Sequence, residues 1–339
     1  MKEYQPIDTT AQKEALINEF KGNLFEYLVA QFLARHYRIE ADFVRSFGGD
    51  IRKQLTDYDH WLRVNEPDLI KQLPKLAKEV SLELIDKVLP ASATKVLVIG
   101  KTLAVPHSKD WAEADLLVLN IDKVYPISLK LCKGNAFVNT KSAGVKSFIN
   151  QYFCGFSNAS LLQNNINRGV DSRFELMAQE LHSHVGLDFY GRFDHRWADS
   201  GHSELPGQLP KDLNAIVVQS YYDCIKDIYE TLKDLYKEDK VLFGKSLLPL
   251  MGIGDVDIIQ ITCFHKEVKG IRYNFSGIHL LYGQELMNDL EMIEILPLKE
   301  SISSFEIQLN HLKLQIRVKP MNKFTSAAFK INCSIKEIK

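Results

Sequence analysis

The chain has 339 residues, 45% of them hydrophobic, and its 42 Lys and Arg residues nearly balance 43 Asp and Glu residues. This length predicts a globular protein of one large or two ordinary domains. There is no run of 18 apolar residues, and the first twenty residues lack the basic-then-apolar pattern of an export signal, so we expect no membrane span and a cytoplasmic protein. The five cysteines are widely spaced without a CxxC pair, which favours reduced thiols over disulfides or structural zinc.

Positive charge is concentrated in two segments of this otherwise neutral chain. Residues 121–150 hold five lysines and one acid, and residues 311–339 hold seven Lys or Arg residues and one acid. Residues 281–300, by contrast, hold five acids and one lysine. This distribution is typical of a protein that meets a phosphate backbone on one side only, although each segment alone also fits an ordinary surface.

The first part of the chain has helical periodicity and then changes to strand patterns. Apolar residues at helical spacing predict an amphipathic helix over residues 13–37, and residues 66–89 favour a second, more polar helix. Short β-branched or leucine-rich runs then predict three strands, at Lys95–Ile99, Leu116–Ile121 and Val124–Leu131.

The middle of the chain is the least regular part. A helix is expected from Ala143 to Phe153, with Ser142 or Thr140 as its N-cap. Residues 155–212 are rich in Gly, Asn, Ser, Asp and His, and we interpret them as loops with one short helix near residues 173–184. Further along, residues 213–239 favour a strand followed by a helix, and strand patterns then continue to a basic end.

Two groups of acids and histidines in the second half are weaker metal candidates. The stretch from His182 to His202 is interpreted as a surface loop that contacts DNA, because His182 and His184 lack the i, i+4 spacing of a helical zinc site. Asp255 and Asp257 fit turn and strand-start positions, or contributors to a metal site.

A hairpin explains why charged residues flank the apolar run EADLLVLNIDKVYPISLK. If Asp122-Lys123 forms a two-residue turn, Asp115 lies directly opposite Lys130. Opposed residues have β-carbons roughly 5 Å apart, so this register brings a carboxylate and an ammonium together at the open end of the hairpin. A slip of one residue would move Asp115 to the other face.

This pair suits phosphodiester hydrolysis. A carboxylate holds Mg²⁺, which polarises a phosphoryl oxygen and lowers the pKa of a bound water, and a lysine stabilises the charge of the transition state. Glu26 is the candidate third ligand, because it lies at the edge of the apolar face of the first helix. Taken alone, the Asp–Lys pair also fits a surface salt bridge, and Glu26 an exposed helix residue.

The stretch KGNAFVNTKSAGVKSF follows the lysine directly. It places polar and basic side chains ahead of a predicted helix start, where free amides and positive potential bind phosphate. The candidate phosphate-binding residues are Lys133, Asn135, Asn139, Thr140, Lys141, Ser142 and Lys146.

The order of these features resembles the PD-(D/E)xK nuclease superfamily over residues 20–155: a helix with Glu26, a strand opened by Asp115, a strand closed by Ser128-Leu129-Lys130, and a helix. The size, the basic β-rich second half and RVKPMNKFTS make the chain similar to type II restriction endonucleases. The resemblance implies an α/β core with a central mixed sheet flanked by helices, Mg²⁺-dependent cleavage of duplex DNA, and usually a homodimer. It assigns Asp115 as a metal ligand and Lys130 as the catalytic lysine.

Two positions depart from the family pattern. Ala114 replaces the proline before Asp115, and Ser128 stands where the family has Asp or Glu. The resemblance therefore implies that another acid completes the site, and without one the site would bind metal weakly or be inactive. The implied catalytic group is Asp115, Lys130, Glu26 and Ser128, and the implied metal ligands are Asp115, Glu26, Glu113 and the backbone carbonyl of Leu129.

We therefore expect a prokaryotic type II-like restriction endonuclease, with a catalytic core in residues 1–155 and a β-rich DNA-recognition region in residues 156–339. A cognate DNA methyltransferase would be its genetic partner. Two alternatives stay open: a PD-(D/E)xK nuclease of defence or repair, and a catalytically silent DNA-binding protein. The candidate base-reading residues are Arg317, Lys319, Asn322 and Lys323, since Arg and Asn side chains form paired hydrogen bonds with base edges.

Overall fold

The structure is a computed structural model that describes residues 10–102, 111, 114–134, 136–253, 258–290, 292–320 and 323–338. It divides into two compact units. Unit 1 contains the chain up to Ala136 together with Ile253–Glu285, and unit 2 contains Phe137–Gly252 together with the chain from Leu286 onward. The boundary predicted near residue 155 falls inside unit 2, which begins at Phe137, and two later strands return to the sheet of unit 1.

The N-terminal part of unit 1 is helical. The predicted helices over residues 13–37 and 66–89 are confirmed, and two shorter helices that the sequence analysis did not identify lie between them. Val29, Ala30 and Leu33 on the first helix are fully buried, so its apolar stripe forms the centre of the core. The four helices are α1 (Thr10–His36), α2 (Glu40–Arg45), α3 (Gly49–Asn65) and α4 (Pro67–Lys87).

These helices cover one face of a mixed five-stranded sheet in unit 1. The strands are β1 (Lys95–Val98), β2 (Leu116–Leu119), β3 (Val124–Lys133), β5 (Ile259–Val268) and β6 (Ile271–Tyr282), arranged in the order β1-β2-β3-β5-β6. All neighbours are antiparallel except β3 and β5, which are parallel. Ile127, Leu129 and Ile261 belong to the core beneath the helices. Since successive strand side chains alternate, Ser128 and Lys130 point to the opposite face.

The β2–β3 hairpin differs from the predicted register by two residues. Leu119 pairs with Val124, so residues 120–123 form the connection, and the Asn120 N–H donates to the Lys123 carbonyl at 2.9 Å. The two-residue Asp-Lys turn was wrong because that dipeptide lacks the glycine that a tight turn favours. A shift of two residues leaves every side chain on its predicted face. Asp115 therefore lies beside Ser128 rather than directly opposite Lys130.

Unit 2 is built on an antiparallel sheet of order β4-β10-β9-β8-β7. Its strands are β4 (Val138–Gly144), β7 (Glu294–Ile295), β8 (Ser304–Gln308), β9 (Leu312–Pro320) and β10 (Phe329–Glu337). Its helices are α5 (Phe148–Tyr152), α6 (Ala159–His184), α7 (His195–Asp199), α8 (Lys211–Glu238) and α9 (Lys240–Leu247). The ring of Tyr221 on α8 contacts Phe329 on β10, with centroids 5.3 Å apart, so α8 packs on the apolar side of this sheet. A final helix, α10 (Gly283–Asp289), spans the third division between the units along the chain, at residues 285–286.

Two predictions in unit 2 were wrong in part. Residues 159–184 form one long helix, so the short helix predicted near residues 173–184 is confirmed but the loops predicted before it are wrong. Buried Ile166, Val170 and Met177 supply a helical stripe while Asn, Ser and Asp residues occupy its exposed side. Residues 211–238 form one continuous helix rather than a strand and a helix. In both segments tertiary burial of the stripe outweighs weak local propensity.

The predicted helix start after residue 142 was also wrong. Thr140, Lys141 and Ser142 lie within strand β4, and α5 begins only at Phe148, after Ser147. The Thr140 hydroxyl donates to the Leu250 carbonyl at 2.6 Å instead of capping a helix. Pairing with β10 over six positions outweighs the local capping signal.

The coarse fold class is confirmed as α/β, with one mixed and one antiparallel sheet flanked by helices. In the part of the chain that the structure describes, no helix is both long and apolar enough to cross a bilayer.

We expect Leu33→Ala to lower the free energy of unfolding by about 2 to 5 kcal/mol, because it leaves a cavity at the centre of unit 1. Leu82→Ala is the matched control, since Leu82 is 50% exposed, and its cost should stay below about 1 kcal/mol. Urea denaturation measures both changes. An equal loss of unfolding free energy in the two variants would contradict the described core.

Candidate metal-dependent nuclease site

Asp115 is held in place at the residue before β2. Its N–H donates to the Ile127 carbonyl at 2.8 Å, and its carbonyl accepts from the Ile99 N–H at 3.0 Å. Its carboxylate Oδ2 accepts the Leu129 N–H at 2.6 Å and the Ser128 hydroxyl at 3.3 Å. Asp115 lies just before the first residue of β2, and its carboxylate accepts a backbone N–H of β3 that has no acceptor on β2. A negative charge is therefore fixed beside the start of β2.

Lys130 lies next to this carboxylate. Its Nζ is 3.7 Å from Asp115 Oδ2, and the two side chains are 24% and 26% exposed. This separation is longer than a hydrogen bond, so the ammonium is near the carboxylate without being fixed by it. The backbone of Lys130 is itself rigid, because β3 pairs with β5 at Thr262. The charges of Asp115 and Lys130 are therefore close together, as predicted. The two residues are diagonal neighbours across the strands rather than directly opposed.

Glu26 forms an ion pair with Lys101, a residue that the sequence analysis did not single out. The two side chains are only 20% and 15% exposed. Lys101 lies three residues beyond the end of β1, and the positive φ of Gly100 (73°) makes the turn that carries it there. The signal in the sequence was a lysine placed after an apolar run and a glycine.

The electrostatics of Glu26 connect it to the Asp115–Lys130 pair. Burial raises the pKa of the Glu26 carboxyl, Lys101 opposes this, the charge of Asp115 raises the pKa further, and Lys130 lowers it slightly. Glu26 is therefore within Coulomb range of both Asp115 and Lys130, although its direct contact is with Lys101. Unit 1 thus collects two carboxylates and two ammonium groups in one region.

The donor set fits a weakly held, largely hydrated Mg²⁺ rather than a closed metal site. Among the described residues, no group of three or more His, Cys, Asp or Glu side chains is placed to hold a metal ion. Mg²⁺ is commonly bound through one or two carboxylates and keeps several waters. Asp115 and Glu26 are the two carboxylates that such an ion would use, and the Ser128 hydroxyl, 3.3 Å from Asp115 Oδ2, is a neutral oxygen beside them. Glu113, the other acid named from the sequence, lies outside the described residues.

A second buried polar residue, Gln260, lies beside Ser128 on the neighbouring strand. The two residues are register partners on β3 and β5, and each is 1% exposed. No partner for Gln260 Oε1 occurs in the part of the structure that is described. The sequence analysis did not single out Gln260. An amide side chain in the middle of the apolar run DIIQITCF is the feature that could have identified it. The face that bears Lys130 therefore contains neutral oxygens where an acid was expected.

The candidate phosphate-binding residues near β3 and β4 do not form one loop. Lys133 lies in unit 1 at the end of β3, whereas Thr140 in unit 2 is buried. Lys146 forms an ion pair with Asp171, so its charge is already neutralised within unit 2. Asn135 lies outside the described residues.

Four of the remaining candidates lie on one side of the second sheet. Arg317 on β9 pairs with Asn332 on β10, and Asn332 pairs with Ser142 on β4. Asn139 lies opposite Ser334 of β10, and Lys319 is two residues beyond Arg317. Lys141 lies opposite the buried Cys333 and therefore belongs to the other side of the sheet. We call the exposed sides of β4, β9 and β10 the basic sheet face. Of the last two candidates, Lys323 forms an ion pair with Glu204, and Asn322 lies outside the described residues.

The His182–His202 stretch is not a surface loop as a whole. His182 is on α6, 1% exposed, and its ring contacts those of Phe189, Phe193 and Trp197. His184 instead faces Asp212, 2.9 Å away. His182 therefore belongs to an aromatic core, and His184 to a surface pair with Asp212. Asp255 and Asp257 lie outside the described residues.

Comparisons with protein-family models, with curated proteins and with solved structures found no match for this chain. The resemblance to PD-(D/E)xK nucleases stays a prediction from the residues of the chain itself.

We expect Lys101→Met to raise the pKa of the Glu26 carboxyl further, because Lys101 is the strongest influence that lowers it. Lys130→Met should raise this pKa less, and Asp115→Asn should lower it by removing a like charge. A ¹³C NMR titration of the glutamate carboxyls, assigned with Glu26→Gln, measures all three changes. A larger response to Lys130→Met than to Lys101→Met would contradict the described arrangement.

Proposed function

We propose that this protein is a Mg²⁺-dependent endonuclease that hydrolyses phosphodiester bonds of duplex DNA. The observation that carries the proposal is the approach of Lys130 Nζ to within 3.7 Å of Asp115 Oδ2 at the end of a strand. Glu26 adds a second carboxylate within Coulomb range. A carboxylate, an ammonium group and a further acid are the groups that this chemistry requires.

The strand order also supports a restriction-endonuclease-like core, which is part of the proposal. Strands β1, β2 and β3 form an antiparallel meander, and β5 adds to β3 in parallel. Helix α1, which carries Glu26, packs on the face of this sheet that holds the apolar core. This agrees with the central mixed sheet flanked by helices that the resemblance implies.

Each residue has a distinct role in the proposed reaction. Lys130 stabilises the negative charge that develops on the phosphoryl oxygens and orients the attacking water. Asp115 would hold the metal through its carboxylate, because among the described residues its side-chain contacts all involve Oδ2 and Oδ1 is available as a ligand. When bound, Mg²⁺ would polarise the phosphoryl group and lower the pKa of a bound water.

Glu26 and Lys101 set a condition on metal binding. The carboxylate of Glu26 is already neutralised by the ammonium of Lys101. A divalent ion must compete with this ammonium, so Glu26 becomes a ligand only when Lys101 moves away or when the phosphate of DNA attracts it. Substrate and metal would therefore bind cooperatively.

The specific form we propose is a site-specific, homodimeric enzyme of the type II restriction class in a prokaryotic cytoplasm, with a DNA methyltransferase as its genetic partner. The alternative within the same chemistry is a nuclease of defence or repair that acts on structured or modified DNA. The two differ in their products, because a site-specific enzyme cuts plasmid DNA into discrete fragments.

A catalytically silent DNA-binding protein is the second candidate, and a specific observation favours it. Ser128 occupies the position of the second-motif acid, and its hydroxyl donates to Asp115 rather than adding a charge. Together with the Glu26–Lys101 ion pair, this leaves little net negative charge to hold a metal.

Lys130→Met and Asp115→Asn are expected to reduce cleavage of unmethylated phage or plasmid DNA in Mg²⁺ by roughly 100- to 1,000-fold or more. Both substitutions preserve side-chain size, and the amide oxygen introduced by Asp115→Asn still accepts the Leu129 N–H, so the fold should persist. Lys123→Met, at the turn of the same hairpin, is the matched control and should cut at the wild-type rate. Gel analysis and sequencing of the ends give the rate, the site and the end type.

Three outcomes separate the candidates. Discrete bands that need Mg²⁺ support the restriction enzyme, and a smear or a preference for branched DNA supports the defence or repair nuclease. Binding of DNA with no cleavage at any Mg²⁺ concentration supports the silent protein. Full activity in Lys130→Met would remove the proposed catalytic role.

A further inference from the structure

The second basic segment of the sequence, residues 311–339, forms a ladder of side chains on β9 and β10 of unit 2. Residues of these strands that are register partners share a face, with β-carbons roughly 5 Å apart. Six residue steps separate the ends of the ladder, a length of roughly 20 Å. The four rungs are Lys319 with Lys330, Arg317 with Asn332, Gln315 with Ser334, and Lys313 with Lys336.

The strands that carry the ladder form a rigid part of the sheet. The alternate residues of both strands, including Ile316 and Ile331, are buried on the apolar side of the sheet. The strands are flanked by β4 and β8, so neither β9 nor β10 is an edge. The polar side chains therefore project from a fixed backbone, and little backbone entropy is lost when a ligand orders them.

Most of the cations of the ladder have no acidic partner among the residues that the structure describes. Lys313 forms an ion pair with Glu306 at 3.1 Å, whereas no ion pair to Arg317, Lys319, Lys330 or Lys336 occurs within the described residues. Burial, with Lys330 and Arg317 nearby, lowers the pKa of the Lys319 ammonium. Unneutralised like charges on neighbouring strands destabilise the free protein. A bound polyanion relieves this repulsion.

The middle of the ladder supplies hydrogen-bonding groups without charge. The Ser142 hydroxyl donates to Asn332 Oδ1 at 3.0 Å, and Asn332 Nδ2 donates to Asn139 Oδ1 at 3.4 Å. Gln315, Arg317, Lys319, Asn332 and Ser334 line a shallow groove of about 430 Å³ together with Asn139 and Phe137. Arg, Asn, Gln and Ser side chains bind both phosphate oxygens and base edges.

We infer that the basic sheet face binds the backbone of duplex DNA, with the Lys319–Lys330 rung on a phosphate and Arg317 in the centre. The partner class is the one in the proposed function, but the inference rests on unit 2 alone and needs no catalysis. Single-stranded nucleic acid is usually held by stacking bases on exposed aromatic rings. Lys, Arg, Asn, Gln and Ser side chains predominate on the described face instead, and the ring of Phe137, which also lines the groove, lies beneath Lys336. A duplex, whose bases are already stacked, needs only such polar contacts.

The test compares the full-length chain with Lys319→Gln/Lys330→Gln in binding a 25-bp duplex in EDTA, where cleavage is blocked. Counterion release predicts that the slope of log affinity against log salt falls by roughly 2 in the double variant. Affinity near 0.1 M salt should fall roughly 10- to 100-fold. Lys237→Gln/Lys240→Gln removes the same charge from α8 and α9 of unit 2 and should keep the wild-type slope.

A second pair of variants protects the test against misfolding. Arg317→Lys keeps the charge and should keep the salt slope, while Arg317→Gln should lower it by roughly 1. An unchanged slope in both the Lys319→Gln/Lys330→Gln and the Arg317→Gln variants would overturn the inference. Stronger binding of single-stranded DNA or RNA than of duplex, lost in the same variants, would overturn the choice of duplex.

The same proteins separate this inference from the proposed function. If the basic-face variants bind duplex normally while Lys130→Met abolishes cleavage, the inference fails and the nuclease stands. If Lys319→Gln/Lys330→Gln loses binding while the wild-type chain cuts no DNA in Mg²⁺, the inference stands and the nuclease fails.

Discussion

The parallel pairing of β3 with β5 is the constraint on which the candidate site depends. Parallel neighbours cannot be joined by a tight turn and need a long crossover. Here the crossover runs through residues 134–258, which include the first part of unit 2. The pairing places β3 between β2 and β5, so its backbone is bonded on both sides wherever β2 extends. Lys130 and Ser128 therefore have fixed positions along a central strand.

The polar site lies where β3 continues past the first residue of β2. β3 continues for several residues beyond its pairing with β2, which exposes the Leu129 N–H at the point where Asp115 can accept it. A buried N–H without an acceptor is costly, so this hydrogen bond stabilises the sheet and orients the carboxylate at once. The same contact that completes the sheet thus aims a negative charge toward Lys130.

Charge balance decides what such a site can do. Lys130 and Lys101 together neutralise Asp115 and Glu26, so the region carries little net charge in the absence of ligands. Closely spaced carboxylates that lack cations attract Mg²⁺ strongly, whereas carboxylates already paired with lysine do not. In the proposed reaction, a bound phosphate would change this balance by attracting both lysines and freeing the carboxylates. Such a site would respond to the substrate and the metal together rather than to the metal alone.

The basic sheet face follows from a different feature of the chain. Strict alternation in β9 and β10 sends every second residue into the apolar core, and Lys, Arg, Asn, Gln and Ser residues fill the other positions. Because β4 pairs with β10, polar residues from two segments almost 200 positions apart reach one surface. A chain that is neutral overall thereby presents a strongly positive surface.

The sequence by itself determined the elements whose signals are local. Strong apolar periodicity predicted α1 and the strands around the hairpin, and the two-residue alternation kept Asp115 and Lys130 on their predicted sides although the register was displaced by two. Only the tertiary structure decided the long polar helix α6, the strand at residues 138–144, the ion pair between Glu26 and Lys101, and the position of Gln260 beside Ser128. These features depend on contacts between residues far apart in the chain. Local spacing fixes which side of an element a residue faces, but the neighbour it meets there depends on how distant strands and helices pack.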